Sequence, residues 1–219
     1  MPNIIHTIKL GIVNCYLIQV NESFYLIDTG YAKQSNEVEK AIKKIGCKPG
    51  QLKLILLTHG DADHIGNAAG LKAIYGAQIA MHRADAKMAE NGDESESRKD
   101  RPDQLSPLFR VIKRLGILSK QSKFIGFKPD IYLEDGQSLM DYGFDATVLS
   151  LPGHTKGSIS ITTKEGDLFC GDLMYNLPGF GYIDDLTQHK ISIERLKKLE
   201  PRLIYPGHGK AFSLRSHLK

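Results

Sequence analysis

Short apolar segments alternate with polar turns along the chain, and their spacing separates strands from helices. Residues 12–20 and 23–27 are rich in β-branched and aromatic side chains and are divided only by Asn21 and Glu22, which predicts a β-hairpin. Residues 35–45 carry apolar side chains at helical spacing between Ser35, a candidate cap, and Gly46, a candidate stop. A helix is therefore predicted there.

The rest of the chain continues this alternation. Further strands are predicted at 53–57, 78–81, 130–133, 146–150, 158–163, 167–170 and 202–205, and further helices at 66–75 and 188–199. Because strands alternate with helices over nearly the whole length, the pattern predicts an α/β fold.

One segment breaks this rhythm. Apolar side chains nearly vanish between Glu90 and Asp103, which predicts a solvated stretch. Just beyond it, one helical face is predicted to contain Leu105, Leu108, Phe109, Ile112 and Leu115. Two interpretations stay open for residues 85–128: an ordinary surface loop with a core helix, or a cap over a substrate pocket.

Composition narrows the class of protein. The chain has 219 residues, of which 41% are hydrophobic and 25% charged, as in a globular protein. The net charge of +4 is mild and the basic residues are dispersed, which argues against a nucleic-acid partner. No signal peptide or membrane-length apolar run is evident, so a soluble cytoplasmic protein is expected. The odd, irregular set Cys15, Cys47 and Cys170 predicts reduced, buried thiols.

The densest polar cluster lies between residues 59 and 64. His59, Asp61, Asp63 and His64 lie within a stretch of six residues, 59–64, directly after an apolar strand. Four polar side chains in so short a stretch cannot be buried without a partner, and a divalent metal binds imidazole and carboxylate. In an irregular loop, residues 59, 61 and 63 would point one way and 64 the other. One loop could thus serve two adjacent ions.

Three further candidates share a setting, because each follows an apolar strand and a glycine: His154, Asp172 and His208. Each alone is more often a capped turn or a surface histidine, but together they favour a common site. No such motif surrounds His6, His82, His189 or His217, so surface or packing roles are expected for these.

The order of these motifs resembles the metallo-β-lactamase superfamily, whose signature is Thr-His-x-His-x-Asp-His followed by Gly-His, Gly-Asp and Pro-Gly-His-Gly. The resemblance runs from the first hairpin to His208, nearly the whole chain. It implies one domain over residues 1–219, folded as a four-layer αββα sandwich with the site at one edge between the sheets. The family's Asp-x-Gly, which supports the metal loop, corresponds to Asp28-Thr-Gly30.

The resemblance also implies a ligand set for two divalent ions, with zinc as first choice and manganese or iron as alternatives. The first ion would take His59, Asp61 and His154, the second Asp63, His64 and His208, and Asp172 would bridge them. Asp61 departs from the family pattern, which has histidine there. Carboxylate hardens the first site and weakens the Lewis acidity of the pair.

By the same resemblance, a hydroxide between the metals would attack a carbonyl or phosphoryl centre. Asp63 would orient it and pass its proton to the leaving group, while Asp28 would hold the metal loop in place. The short spacing from His154 to His208 leaves no room for an inserted nucleic-acid-processing domain. A small-molecule substrate is expected, with a thioester, lactone or other ester favoured, and the oligomeric state is left open, a dimer included. The alternatives are an iron-dependent oxidoreductase of the persulfide dioxygenase kind, a phosphodiesterase and a non-catalytic sensory domain.

Overall fold

The structure is a computed structural model that describes residues 3–94, 102–107, 110–111, 123–177 and 181–217. Its strands are β1 Ile4–Leu10, β2 Val13–Val20, β3 Ser23–Ile27, β4 Leu52–Leu56, β5 Gln78–His82, β6 Gln104–Leu105, β7 Ile131–Leu133, β8 Ala146–Ser150, β9 Ile159–Thr163, β10 Asp167–Gly171, β11 Tyr182–Ile183 and β12 Leu203–Pro206. Its helices are α1 Ser35–Ile45, α2 Ala62–Ile65, α3 Ala68–Tyr75, α4 Ala86–Asn91, α5 Leu186–Leu199 and α6 Leu214–His217.

The first sheet has the strand order β1-β2-β3-β4-β5-β7. Its first three strands are antiparallel, and β3, β4, β5 and β7 run parallel. The crossovers from β3 to β4 and from β4 to β5 contain helices, α1 in the first and α2 and α3 in the second, as parallel neighbours require. The parallel strands therefore end at a common edge.

The second sheet has the order β12-β10-β9-β8. Strands β8, β9 and β10 are antiparallel, whereas β10 and β12 are parallel and are connected through α5. A separate two-stranded ribbon pairs β6 with β11. This ribbon brings the segment around residue 104 next to the chain that follows Asp172.

Alternating side chains of β2 and β3 serve two different cores. Leu17 and Leu26 pack with Val38 and Ile42 of α1. Their sequence neighbours turn to the opposite face and pack against the second sheet: Tyr16, Ile18, Tyr25 and Ile27. A third core lies between the second sheet and Leu196 of α5. Helices, two sheets and a helix thus form the four-layer αββα sandwich that was expected.

Several local predictions differ from the structure. Strand β1 was not predicted, although its C-terminal half alternates in the way expected of a half-exposed strand at a sheet edge. The predicted helix face was wrong for Leu105, which lies in β6 because its backbone pairs with Tyr182. The remaining residues of that face lie outside the described residues: Leu108, Phe109, Ile112 and Leu115. The cap over residues 85–128 therefore stays a prediction.

Two other expectations can be compared directly. All three cysteines are free and buried, which confirms the prediction of buried thiols. In the part of the chain that the structure describes, no helix combines the length and apolar character needed to cross a membrane.

Candidate metal centre

The predicted ligands meet where strands of both sheets end. Asp28 follows β3, and the 59–64 segment follows β4. The other predicted ligands follow strands of the second sheet: His154 after β8, Asp172 after β10 and His208 after β12. The Asn14 amide donates to the Gly207 carbonyl over 2.8 Å, which ties β2 to the chain after β12. The two sheets therefore converge at this edge.

The four predicted histidine ligands form one buried cluster. Ring centroids lie 4.1 Å apart for His59 and His64, 4.6 Å for His59 and His154, and 5.4 Å for His64 and His208. None of the four is more than 2% exposed. The prediction that these distant residues approach one another is confirmed.

Each of these histidines places Nδ1 against a protein oxygen. The partners are Thr58 Oγ1 for His59 at 2.9 Å, Asp28 Oδ2 for His64 at 2.8 Å, the Tyr182 carbonyl for His154 at 2.6 Å and the Ile12 carbonyl for His208 at 2.9 Å. With Nδ1 held by these oxygens, each ring turns its Nε2 toward the centre. This is the usual arrangement of metal-binding histidines.

Three carboxylates face the Nε2 atoms. Asp61 Oδ2 lies 3.0 Å from His154 Nε2 and 3.5 Å from His59 Nε2. Asp63 Oδ2 lies 3.4 Å from His208 Nε2. Asp172 lies within 3.7 Å of Nε2 in three of the histidines, His64, His154 and His208. Its carboxylate thus contacts both halves of the site.

The donor set fits divalent metal ions. Two groups each bring their ligand atoms within 4.8 Å of one another: His59, His154 and Asp172, and Asp63, His64 and His208. Buried His59 Nε2, His64 Nε2 and Asp172 Oδ1 have no hydrogen-bond partner among the described residues. Buried polar atoms without partners are costly, and a cation bound by nitrogen and oxygen ligands would satisfy them.

Burial and neighbouring charges shift the pKa values of the clustered histidines and carboxylates. Burial would lower the pKa of His64, but Asp63, Asp172 and Asp28 raise it to about 10. Burial would also lower the pKa of His208 and raise that of Asp172. Their mutual attraction outweighs burial, so the pKa of His208 is raised, chiefly by Asp172, and the pKa of Asp172 is lowered, chiefly by His208. Burial itself lowers the pKa of His59. Without a cation, the centre therefore contains imidazolium and carboxylate groups together.

Asp28 and Thr58 orient two of the histidines together. Asp28 has the left-handed φ of 59°, and its Oδ1 accepts from the Thr58 amide over 2.9 Å. The Thr58 hydroxyl donates to the same carboxylate, so it accepts from His59 Nδ1. Since Asp28 also accepts from His64 Nδ1, one buried carboxylate positions His59 and His64. Thr58 was not predicted as part of the site.

Glycine is required after β12 for steric reasons. A Cβ atom at Gly207 would lie 2.3 Å from Asp172 Oδ1 and 2.6 Å from His64 Cε1. Any side chain there would displace these groups. The expected glycine before His208 thus serves close approach rather than an unusual φ.

The 59–64 segment is more regular than predicted. Asp61 is the N-cap residue of α2, and Asp63 and His64 lie inside that one-turn helix. The expectation of an irregular loop with alternating side chains was wrong. Successive side chains diverge because a helix turns by about 100° per residue.

Sequence reasoning also missed Asp85, which follows β5 and is 1% exposed. Its carboxylate accepts from the Gly60 amide at 3.0 Å, the Thr155 hydroxyl at 2.7 Å and the Gly157 amide at 2.8 Å. Asp85 therefore links the loop of His59 to the loop of His154. Tyr175 was missed as well, and its hydroxyl lies 3.1 Å from His154 Nδ1.

The sequence profile of the metallo-beta-lactamase superfamily matches residues 8–208. The chain belongs to this superfamily. Membership accounts for the order of the ligand motifs and for the αββα architecture.

Individual relatives extend this finding. The chain is 31% identical over 206 residues to the hydroxyacylglutathione hydrolase GloC of Haemophilus influenzae, covering 90% of this chain and 85% of the relative. Identity to the acyl-coenzyme A thioesterase MBLAC2 of Bos taurus is 28% over 219 residues, covering 91% and 74%. The beta-lactamase-like protein 2 homolog of Drosophila melanogaster is 29% identical over 200 residues. There the match covers 90% of this chain but only 58% of the relative.

Among solved structures, the BLEG-1 B3 metallo-beta-lactamase superposes with a TM-score of 0.75 at 22% identity, covering 98% of this chain and 96% of that one. This likeness confirms the fold. The names of the sequence relatives agree with the expected enzyme class, a metallo-hydrolase.

Proposed function

We propose that the centre holds two divalent metal ions and that the protein hydrolyses a small-molecule ester. The observation that carries this proposal is the shared orientation of four buried histidines, whose Nε2 atoms face two adjacent groups of carboxylate oxygens. His59, Asp61 and His154 would hold the first ion, and Asp63, His64 and His208 the second, with Asp172 between them. Zinc is the first candidate for both ions.

Bound metal ions lower the pKa of a shared water and polarise a carbonyl group. Asp63 would accept the proton that this water loses and pass it to the leaving group. Its side chain is 16% exposed, so it reaches the open side of the site, unlike the histidines. Burial would raise the pKa of Asp63, but His64 and His208 lower it overall. The carboxylate is therefore ionised at neutral pH and can receive a proton for the leaving group.

Asp28 would act differently. It contacts Thr58 and the outer nitrogen of His64 rather than the open centre. Its role would be to fix ring orientation, as hydrogen-bond partners of metal ligands do.

The names of two relatives favour thioesters among the ester substrates, because GloC is a hydroxyacylglutathione hydrolase and MBLAC2 an acyl-coenzyme A thioesterase. Lactones are the next class to test. A nucleic-acid substrate is not expected.

The test is a substrate panel on protein with a measured metal content. Glutathione thioesters, acyl-coenzyme A thioesters, lactones and phosphodiesters would be compared for the wild type, the chelated protein and Asp63→Asn. We expect hydrolysis of a thioester or lactone that disappears on chelation and falls strongly in Asp63→Asn. A fully loaded protein that hydrolyses none of the esters would refute the proposal.

One observation favours a second candidate. The Asp61 carboxylate faces the first group of ligands, and oxygen ligands suit iron or manganese better than a histidine-rich set does. An iron-dependent oxidoreductase acting on a persulfide is therefore included. Oxygen uptake by iron-loaded protein, without ester hydrolysis, would select it.

A further inference from the structure

Asp61 begins α2, yet its side chain does not cap that helix. Asp at such a position ordinarily accepts from an amide of the first helical turn. Here Asp61 makes no side-chain cap hydrogen bond, and its Oδ2 faces His154 Nε2 and His59 Nε2 instead. Something else must therefore hold the backbone around Asp61 in place.

The backbone amides on either side of Asp61 donate to two carboxylates that flank α4, one just before the helix and one just after it. The Gly60 amide donates to Asp85 Oδ2 over 3.0 Å, and the Ala62 amide donates to Glu94 Oε2 over 2.9 Å. Between these bonds, Met88 of α4 packs so closely on the loop that a Cβ atom at Gly60 would lie 2.6 Å from its Sδ.

The position of Glu94 is itself fixed by the fold. Helix α4 ends at Gly92 in the left-handed conformation, and the Phe124 amide donates to the Gly92 carbonyl over 3.2 Å. Asp93 forms a β-bridge with Lys123. The Glu94 carboxylate thus reaches Ala62 from a backbone that is anchored at the two preceding residues, Gly92 and Asp93.

We propose that Glu94 is a positioning residue for the first metal site. Glu94 accepts from the Ala62 amide and so caps α2 in place of the Asp61 side chain, while Asp85 accepts from the Gly60 amide. The Asp61 carboxylate is therefore free of a capping role and stays directed at the metal. This function requires an acceptor oxygen at Glu94 and not a negative charge. The inference rests on the proposed metal centre.

The experiment measures stepwise metal affinity by competition with a chromophoric chelator, without any assay of activity. In Glu94→Ala we expect zinc to bind the first site about tenfold more weakly, the lower end of the effect of removing a partner of a metal ligand. Affinity of the second site should fall less, because the hydrogen bond between His64 Nδ1 and Asp28 holds that ring independently of Glu94. Glu94→Gln keeps an acceptor oxygen and should retain wild-type affinity.

Two controls isolate the mechanism. Glu90→Ala removes an exposed carboxylate from α4, four residues before Glu94, and should change neither affinity. In an Asp61→Ala background, adding Glu94→Ala should cause no further loss, because the group it positions is already gone. The melting temperature of each metal-free variant shows whether folding is retained.

The outcomes are distinct. A wild type that binds no metal would refute the metal centre and this inference with it. If the wild type binds two ions and Glu94→Ala binds them equally well, only this inference is wrong. It is also wrong if Glu94→Gln loses as much affinity as Glu94→Ala, or if the effects of Asp61→Ala and Glu94→Ala are additive.

Discussion

Thr58→Val tests how the His59 ring is held. The Thr58 hydroxyl accepts from His59 Nδ1 at 2.9 Å and donates to Asp28 Oδ2 at 2.9 Å. Valine has the same shape but offers neither bond, so it leaves a buried Nδ1–H and a carboxylate oxygen with fewer partners. Leaving a buried polar group unsatisfied costs about 1–3 kcal/mol, which should appear as a lower free energy of unfolding of the metal-free protein.

The effect on metal binding should be larger at the first site than at the second. His59 loses the partner that fixes its ring, so we expect first-site affinity to fall about 10–100-fold. The second site should be nearly unaffected, because Asp28 still accepts from His64 Nδ1. The backbone also stays anchored, since the Thr58 amide donates to Asp28 and its carbonyl accepts from the Ile159 amide.

Thr58→Ser is the matched control. It keeps the hydroxyl and loses one buried methyl group, at a cost of about 1 kcal/mol in stability. Chelator competition gives the two metal affinities, and chemical denaturation gives the free energy of unfolding. First-site affinity equal to wild type in Thr58→Val would show that the hydroxyl does not position His59.

Three further predictions follow from the same geometry. Asp61→His should raise zinc occupancy of the first site and Asp61→Ala should deplete it, while the ion held by His64 and His208 remains. Elemental analysis measures the metal content of each protein. Equal contents in the wild type and both variants would show that Asp61 is not a ligand. Gly207→Ala should reduce both metal content and activity about tenfold or more, because its Cβ would displace Asp172; a wild-type metal content would contradict this. Zinc binding at pH 7 should release protons, because the pKa of His64 in the metal-free protein is raised to about 10; calorimetry in buffers of different ionisation enthalpy should show this release, with affinity rising with pH. The imidazolium form of His64 stabilises the metal-free fold fully below about pH 6.5, and this contribution is lost as pH rises through about 10.

The sequence predicted those features of the fold and the site that depend mainly on residue type. The apolar, β-branched and aromatic runs of β2 and β3 were readable because both faces of these strands are buried, each in a different core. The seven candidate ligands could be named because histidine or aspartate recurs after four strand ends in one chain, in an order that resembles the superfamily signature.

Other features depend on contacts that residue type does not encode. The acceptors for His154 and His208 are backbone carbonyls, which every residue possesses. Asp85 and Glu94 resemble ordinary surface acids in the sequence, and their partners Gly60 and Ala62 lie 25 and 32 positions away. Only the packing of α4 on the 59–64 segment shows which backbone amides these carboxylates bind.

The net charge of the proposed metal centre should influence whether it prefers an anionic or a neutral substrate. Asp61, Asp63 and Asp172 together offset about three of the four positive charges that two divalent ions would bring, and a hydroxide offsets the fourth. Histidine in place of Asp61 would leave about one net positive charge. A phosphodiester is an anion and gains from a positive site, whereas a thioester or lactone carbonyl is neutral and needs only local polarisation. We therefore expect Asp61→His to improve activity on an anionic phosphodiester relative to a neutral ester. An unchanged ratio of the two activities would show that the carboxylate at this position does not set the choice of substrate.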